Sequence, residues 1–421
     1  MKKYNFEWFE RTLENGMKVI LVHKPQFTQS FFLLGIKAGG MDIWQEQGIT
    51  SITYPSGCAH FLEHQMFRLN GQDVTDQFAD LCAVTNAFTG LNETAYYFST
   101  ASNPEGPLSL LMDFVQNLDI DAESVEKEKG IILSEYNMYQ QSPESRLMKL
   151  VWNALYKKHP IRIDVLGTPE DIQSMKVQDL KTFYHDKYDP QNMVLIGVTG
   201  TDPSPLLGLI ERKQEVYPKH RVDPMQRKYL NEPDKVAKEL VEDHMDISIP
   251  YVSLAIKLKP VLDPLQAACL DFALQMTLDA WFSSLNPDFQ SWMDQRILTT
   301  SFGAECEITT DHAYLMFYSQ TKKTEEFFQV VKDVLRKMQT NKIDHLIFNS
   351  LKNKSYAQSL RTFDHFESFA IDLFQSKVQG ISYFEFLDKM AAMQRDEVFE
   401  KISKLDFSNQ SRIYLNSYNK S

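Results

Sequence analysis

The chain has 421 residues, 43% hydrophobic and 24% charged, enough for two domains with separate cores and without the composition of a disordered protein. A formal net charge of −12 argues against the basic face a nucleic-acid binder needs, and no apolar run is long enough to span a bilayer. The four cysteines, Cys58, Cys82, Cys269 and Cys306, are widely spaced and form no C-x-x-C pair, so neither a cysteine zinc site nor a disulfide framework is indicated.

At the N-terminus Lys2 and Lys3 precede no apolar stretch, so no secretory signal is indicated and the cytoplasm is the expected compartment. An Asn15-Gly16 turn followed by Met17 to Val22, then Phe31 to Ile36 running up to Gly39-Gly40, predicts two strands. Pro55-Ser56-Gly57 supplies a break and a candidate N-cap for a short helix, with Leu62 and Met66 giving it an apolar side. Cys58 reads as a small packing residue.

That helix carries His60-Phe61-Leu62-Glu63-His64. Residues four apart lie one turn above each other, so His60 and His64 can aim two ring nitrogens at one ion with Glu63 alongside. Zinc favours such ligands, and a catalytic site adds one further protein ligand and a water. The metal lowers the pKa of that water to about 7, which suits Glu63 as the base that takes its proton. The glutamate directly precedes the second histidine, the inverse of H-E-x-x-H.

Ala83 to Phe88 and Thr94 to Phe98 predict a strand pair around a Gly90 to Asn92 turn, and Leu108, Leu111, Val115 and Leu118 recur at helical spacing. A second helix is predicted from Val125 to Tyr139. Glu128 and Glu135 are two turns apart on one of its faces, with Ile132 between them. Either could be the third ligand while the other supports it, and spacing does not choose between them. The plainer alternative is a solvated charged helix. Met193 to Val198 reads as a buried strand.

A polar stretch from about Arg212 to Lys238, with Pro218, Pro224 and Pro233, reads as a connector. The predicted domains are therefore 1–212, the metal-binding one, and 239–421, joined by 213–238. The second repeats the order of signals in the first: strand Tyr251 to Leu258, helix Asp263 to Trp281, strands Ser301 to Ile308 and Tyr314 to Ser319, helix Glu325 to Met338, and a last strand Ser411 to Leu415. It looks like a diverged copy without an H-x-x-E-H of its own.

Gly57 to Phe67, Asn86-Ala87-Phe88-Thr89 with Thr94-Ala95-Tyr96, and Glu128 to Glu135 together resemble the insulinase/pitrilysin family of inverted-motif zinc peptidases, in particular its short YmfH-like bacterial members. The resemblance implies zinc ligands at His60, His64 and Glu135, a general base at Glu63 and a supporting carboxylate at Glu128. It implies an α+β fold of two similar domains, each an antiparallel sheet backed by helices, facing across a peptide-binding chamber. Substrate peptides in this family add as a strand to the sheet edge near the zinc, here at Asn86 and Ala87, although Asn86 could instead be a turn residue that ends its strand.

Family members that work alone or as homomers carry an arginine and a tyrosine seven apart in the second domain. Here Met293 and Thr300 occupy those places; Arg296 has Gly303, not an aromatic residue, seven positions later. The resemblance then implies a zinc endopeptidase acting on peptides or small unfolded proteins as the catalytic subunit of a heterodimer, with a paralogue supplying the Arg/Tyr pair. A dedicated leader-processing protease for a ribosomally made peptide and a non-catalytic scaffold subunit are the alternatives.

Overall fold

The computed structural model of the chain describes residues 4, 6–217, 226–228 and 230–418. Lys2 and Lys3, and the connector's Pro218 and Pro224, lie outside the described residues. Two compact units emerge, each built on one large sheet.

The first sheet has six strands, β1 (Glu7–Thr12), β2 (Lys18–His23), β3 (Ser30–Ile36), β4 (Ala83–Thr89), β5 (Thr94–Thr100) and β6 (Met193–Thr199), in the order β1-β2-β6-β3-β5-β4. The apolar runs of β3 and β6 are buried at every residue, as central strands covered on both faces must be. β4 lies at the edge. Helices α1 (Cys58–Met66), α2 (Glu105–Val115) and α3 (Ala122–Gln140) bury one side in a shared core: Phe61, Leu62 and Met66 from α1, Leu111 and Phe114 from α2, and Val125 and Ile132 from α3.

The second sheet has five strands, β7 (Leu240–Met245), β8 (Tyr251–Lys257), β9 (Gly303–Ile308), β10 (Ala313–Gln320) and β11 (Gln410–Ser417), in the order β7-β11-β8-β10-β9. Removing β1 from the first sheet leaves the same sequence of connections, so the second half does repeat the first. Both sheets are antiparallel except at one place each: β6 runs parallel to β2, and β11 parallel to β7. The late strand of each half inserts beside an early one.

The units do not follow the halves of the chain. One comprises Met1–Asn137, Ile163–Tyr229 and Thr362–Val378; the other comprises Met138–Arg162, Leu230–Arg361 and Gln379–Ser421. Helix α4 (Pro143–Leu155), started by the Ser142 hydroxyl accepting from Ser145 N–H, thus belongs with the second sheet. Phe366–Gln379, helix α7 once Pro264–Trp281 (α5) and Thr324–Thr340 (α6) are counted, contributes Phe366 to Val378 to the first. Gly35 on β3 explains how α7 fits, because a Cβ there would lie 2.2 Å from the Phe374 ring. The buried Lys24 ammonium fixes the approach to α7, donating to the Phe363 carbonyl at 2.6 Å and to Asp364 Oδ1 at 2.5 Å. Within the connector, Gln226–Arg227 forms a third strand beside the hairpin Trp44–Gln47 and Thr50–Thr53, and Arg227 pairs with the buried Asp42 at 2.7 Å.

Candidate metal centre

α1 begins at a sharp turn. Gly57, just before the first helical residue, has φ 84°, and a Cβ on it would sit 2.2 Å from the Leu166 carbonyl oxygen. Both the backbone conformation and the lack of space require glycine. Ser56 does not cap the helix. Its hydroxyl donates to Asp171 Oδ2 at 2.5 Å and accepts from Thr168 N–H at 2.9 Å, which ties the helix entry to the segment that follows Leu166.

Because Cys58, Ala59, Phe61, Leu62 and Met66 turn into the core, His60, Glu63 and His64 share what remains of the helix surface, and the two imidazole centroids lie 4.6 Å apart. α3 is held beside them by Val125 and Ile132. Helical spacing leaves the roles of its two glutamates open, but the structure gives them different neighbours. Glu135 Oε2 lies 3.6 Å from His60 Nε2 and 3.5 Å from His64 Nε2. Glu128 Oε1 lies on the far side of the second ring, 2.8 Å from His64 Nδ1. A carboxylate there holds the proton on Nδ1 and leaves the Nε2 lone pair aimed at Glu135.

The charges around the site favour a cation. Burial, and then the neighbouring His64, push the His60 pKa down to about 3, so its ring is neutral with a lone pair to give. Burial also works against a charged His64, but the Glu128 hydrogen bond and the Glu128, Glu63 and Glu135 carboxylates outweigh it and raise its pKa. Glu63 is raised by burial, with the Thr89 hydrogen bond and His64 opposing the rise. Its Oε2 accepts from the Thr89 hydroxyl at 2.5 Å.

Asn86 and Ala87 fall within β4, opposite Tyr97 and Tyr96, so Asn86 continues its strand instead of ending it. The Ala87 N–H is taken by the Asn86 side-chain oxygen at 2.8 Å. Sequence reasoning quotes Gln65 and Thr89 within the matching stretches but assigns no role to them or to Ser124. Ser124 Oγ donates to Gln65 Oε1 at 2.8 Å, joining α3 to α1 beside the Glu128 contact. No spacing rule reveals such contacts, which depend on how a helix lies against a strand end or another helix.

Residues 18–169 match the model described as Insulinase (Peptidase family M16), and residues 174–355 match Peptidase M16 inactive domain. The chain belongs to the insulinase M16 family. It is 29% identical over 343 residues, 80% of each chain, to YmfH of Bacillus subtilis, named an uncharacterized zinc protease. It is 27% identical over 206 residues, 48% of this chain and 43% of the other, to a probable mitochondrial-processing peptidase subunit beta of Schizosaccharomyces pombe. A crystal structure of a putative M16-like peptidase from Alicyclobacillus acidocaldarius matches with a TM-score of 0.91 at 25% identity, covering 98% of this chain and 99% of that one. A protease from Helicobacter pylori shares the fold, with a TM-score of 0.84 at 18% identity and the same coverage. Zinc is the cofactor of the M16 family.

The residues present fit that metal. Two imidazole nitrogens and a carboxylate oxygen are a zinc donor set, and bonds of about 2.0–2.1 Å at the tetrahedral angle put neighbouring donors roughly 3.3 Å apart. The 3.5 and 3.6 Å from Glu135 to the two rings are within a few tenths of an ångström of that, and all three donor atoms lie within 4.8 Å of one another.

Proposed function

We propose that this M16 protein is a zinc-dependent endopeptidase that cleaves extended peptides or small unfolded proteins in a closed chamber, as the catalytic subunit of a heterodimer. The observation that carries this reading is the convergence of His60 Nε2, His64 Nε2 and Glu135 Oε2 with the Glu63 carboxylate beside them. His60, His64 and Glu135 would hold the metal, and Glu128 fixes the His64 tautomer through Nδ1. When bound, zinc would acidify a water and polarise the scissile carbonyl.

The chain's own residues supply the rest. The substrate backbone pairs with the free edge of β4 at Asn86 and Ala87, Asn86 Oδ1 yielding the Ala87 N–H to a substrate carbonyl. Glu63 takes the proton of the attacking water on its Oε1, since Oε2 is held by Thr89, and then passes it to the leaving amine.

The heterodimer follows from the missing Arg/Tyr pair. Met293 packs partly buried against the second core from the short helix Phe289–Asp294, and Thr300 is exposed with neither charge nor aromatic hydroxyl. The S. pombe relative is likewise named as one subunit of a peptidase. The cytoplasm is its proposed location; among the described residues no helix is long and apolar enough to cross a membrane. The test is to purify the chain with whatever co-purifies from its native host and assay peptide cleavage with and without that material. Activity of the mixture that saturates near equal amounts of two chains, with metal on this one, supports the reading; a metal-loaded mixture without cleavage overturns it.

A further inference from the structure

Glu63 has three side-chain torsions, and the last of them, which turns the carboxylate, is broad and weakly restrained in a free glutamate. A base with that freedom would spend much of its time facing the wrong way. One contact removes it: the Thr89 hydroxyl donates to Oε2 at 2.5 Å.

The donor is itself firmly placed. Thr89 is the last residue of β4 and pairs with Thr94 at the end of the hairpin ladder. The Thr94 hydroxyl donates to the Ala38 carbonyl at 2.9 Å, and Gly90 N–H closes the turn onto the Glu93 carbonyl at 2.7 Å. The turn is held from the other side as well, by Gly40 N–H on the Gly90 carbonyl and Met41 N–H on the Leu91 carbonyl, both at 2.9 Å. A β-branched side chain on such a backbone has few rotamers to choose from, so Oγ1 stays where the hairpin puts it. Gly39, next to these residues, cannot carry a Cβ, which would lie 2.6 Å from the Gly90 carbonyl oxygen. The hairpin and the 38–41 segment therefore fit at backbone contact and leave Thr89 little play.

We infer that Thr89 is a positioning residue for the general base: it pins one oxygen of Glu63 to the end of β4, so that the other faces the attacking water. This rests on the endopeptidase reading above. Because β4 is also the strand proposed to bind the peptide, one rigid element would set both the substrate backbone and the carboxylate that acts on it. Proximity of this kind matters because a misplacement of about 1 Å can cost roughly 100-fold in rate.

The experiment compares wild type, Thr89→Val and Thr89→Ser, each metal-loaded and assayed with the material that co-purifies with the chain. Valine keeps the shape and loses the donor, while serine keeps the donor. We expect Thr89→Val to lower kcat about 10–100-fold, as losses of orienting partners do, with KM within about twofold of wild type and zinc content unchanged. Thr89→Ser should recover to within about threefold of wild type. A Thr89→Val kcat within about twofold of wild type, or a serine variant as slow as the valine one, overturns the assignment. A second readout is independent of turnover: in crystal structures of the zinc-loaded proteins, Glu63 should hold one orientation in wild type and Thr89→Ser and turn away in Thr89→Val. An unmoved Glu63 in Thr89→Val overturns Thr89's role, whereas wild type that is fully loaded and inactive overturns the endopeptidase reading and leaves the orientation test standing.

Discussion

Each unit brings together two histidines and a carboxylate: His60, His64 and Glu135 in the first, His159, His312 and Asp311 in the second. In both sets one atom from each residue lies within 4.8 Å of the others. The spacing inside the sets differs. Glu135 stands 3.5 and 3.6 Å from its two ring nitrogens, whereas Asp311 Oδ1 is 2.6 Å from His312 Nδ1. The first gap is a metal ion wide, and the second is a shared proton.

The surroundings agree. In the first set Glu128 takes the outer nitrogen of His64 and frees the inner one, and burial keeps His60 neutral. In the second, His159 Nδ1 accepts from Ile161 N–H at 3.2 Å, which puts the ring proton of a neutral His159 on Nε2. His312 is fully buried, with Glu307 Oε1 at 3.3 Å from Nε2, close enough for an ion pair though not aligned as a hydrogen bond. Burial opposes its charge, but Asp311 and Glu307 prevail and hold its pKa up to about 9. Residue types alone do not make a metal site; on the reading proposed above, it is the gap between carboxylate and ring nitrogen, 3.5 and 3.6 Å in the first set and 2.6 Å in the second, that leaves room for an ion in one and for a proton in the other.

The largest test of that contrast is Glu63→Gln. The amide keeps the shape, cannot accept a proton and is no ligand, so turnover should fall by about 10²–10⁴-fold while the metal stays. Retention of more than a tenth of wild-type kcat would remove Glu63 from its role. Next, metal content separates the carboxylates. Glu135→Gln should empty the centre, whereas Glu128→Gln should keep the metal with affinity weakened about 10–100-fold. His312→Gln should leave the metal content of the chain unchanged. If it lowers the stoichiometry, the second cluster is a metal site and the spacing argument fails.

The contrast also explains how far residues alone can be read. The H-x-x-E-H pattern places His60, Glu63 and His64 because helical geometry is local, and the order of buried strands is legible because β3 and β6 are apolar runs and β8 is one interrupted only by Ser253 before its terminal Lys257. The difference between Glu128 and Glu135 is not, since they sit on one face and only the lie of α3 across α1 gives them different neighbours. β1, with its exposed and mixed sequence, and β7, which alternates just after the stretch read as connector, escape detection for want of an apolar run. The exchanged helices α4 and α7 escape for another reason. Amphipathic spacing says which side of a helix is buried but not in which core. The cluster at His159 and His312 combines residues far apart in the chain, beyond the reach of any motif.

A third test uses pH. The folded His312 titrates near 9 against an ordinary value of 6.5, so it binds its proton more tightly when folded. Its contribution to stability is full below about 6.5 and lost as pH rises through about 9, and a shift of that size corresponds to roughly 3 kcal/mol. Glu307, lowered by His312 despite burial, and Asp311 are the carboxylates that lose their cation. Thermal unfolding followed from pH 6.5 to 9 should therefore show a falling midpoint in wild type and a flatter profile in His312→Gln. Equal slopes in the two proteins would mean that the buried ring is neutral, and the two clusters would then no longer differ in charge.

The smallest effect compares how the two units start a helix. α1, which carries the histidines, has no side-chain cap, because Gly57 must pass against the Leu166 carbonyl and leaves nothing to accept its first N–H groups. α5 in the second unit has Asp263, whose carboxylate accepts from Gln266 N–H at 2.8 Å, followed by Pro264, which has no N–H to satisfy. Removing the acceptor with Asp263→Ala should cost about 1 kcal/mol of stability, the usual worth of such a cap, and leave metal affinity untouched. Gly57→Ala should cost more and weaken the metal as well, since a left-handed residue with a Cβ against a carbonyl can only be accommodated by moving the helix that holds His60 and His64. Denaturant unfolding alongside zinc titration of both variants checks the pair. If Gly57→Ala lowers stability while zinc affinity is preserved, the entry turn serves the fold alone, and the position of His60 and His64 on α1 does not depend on it.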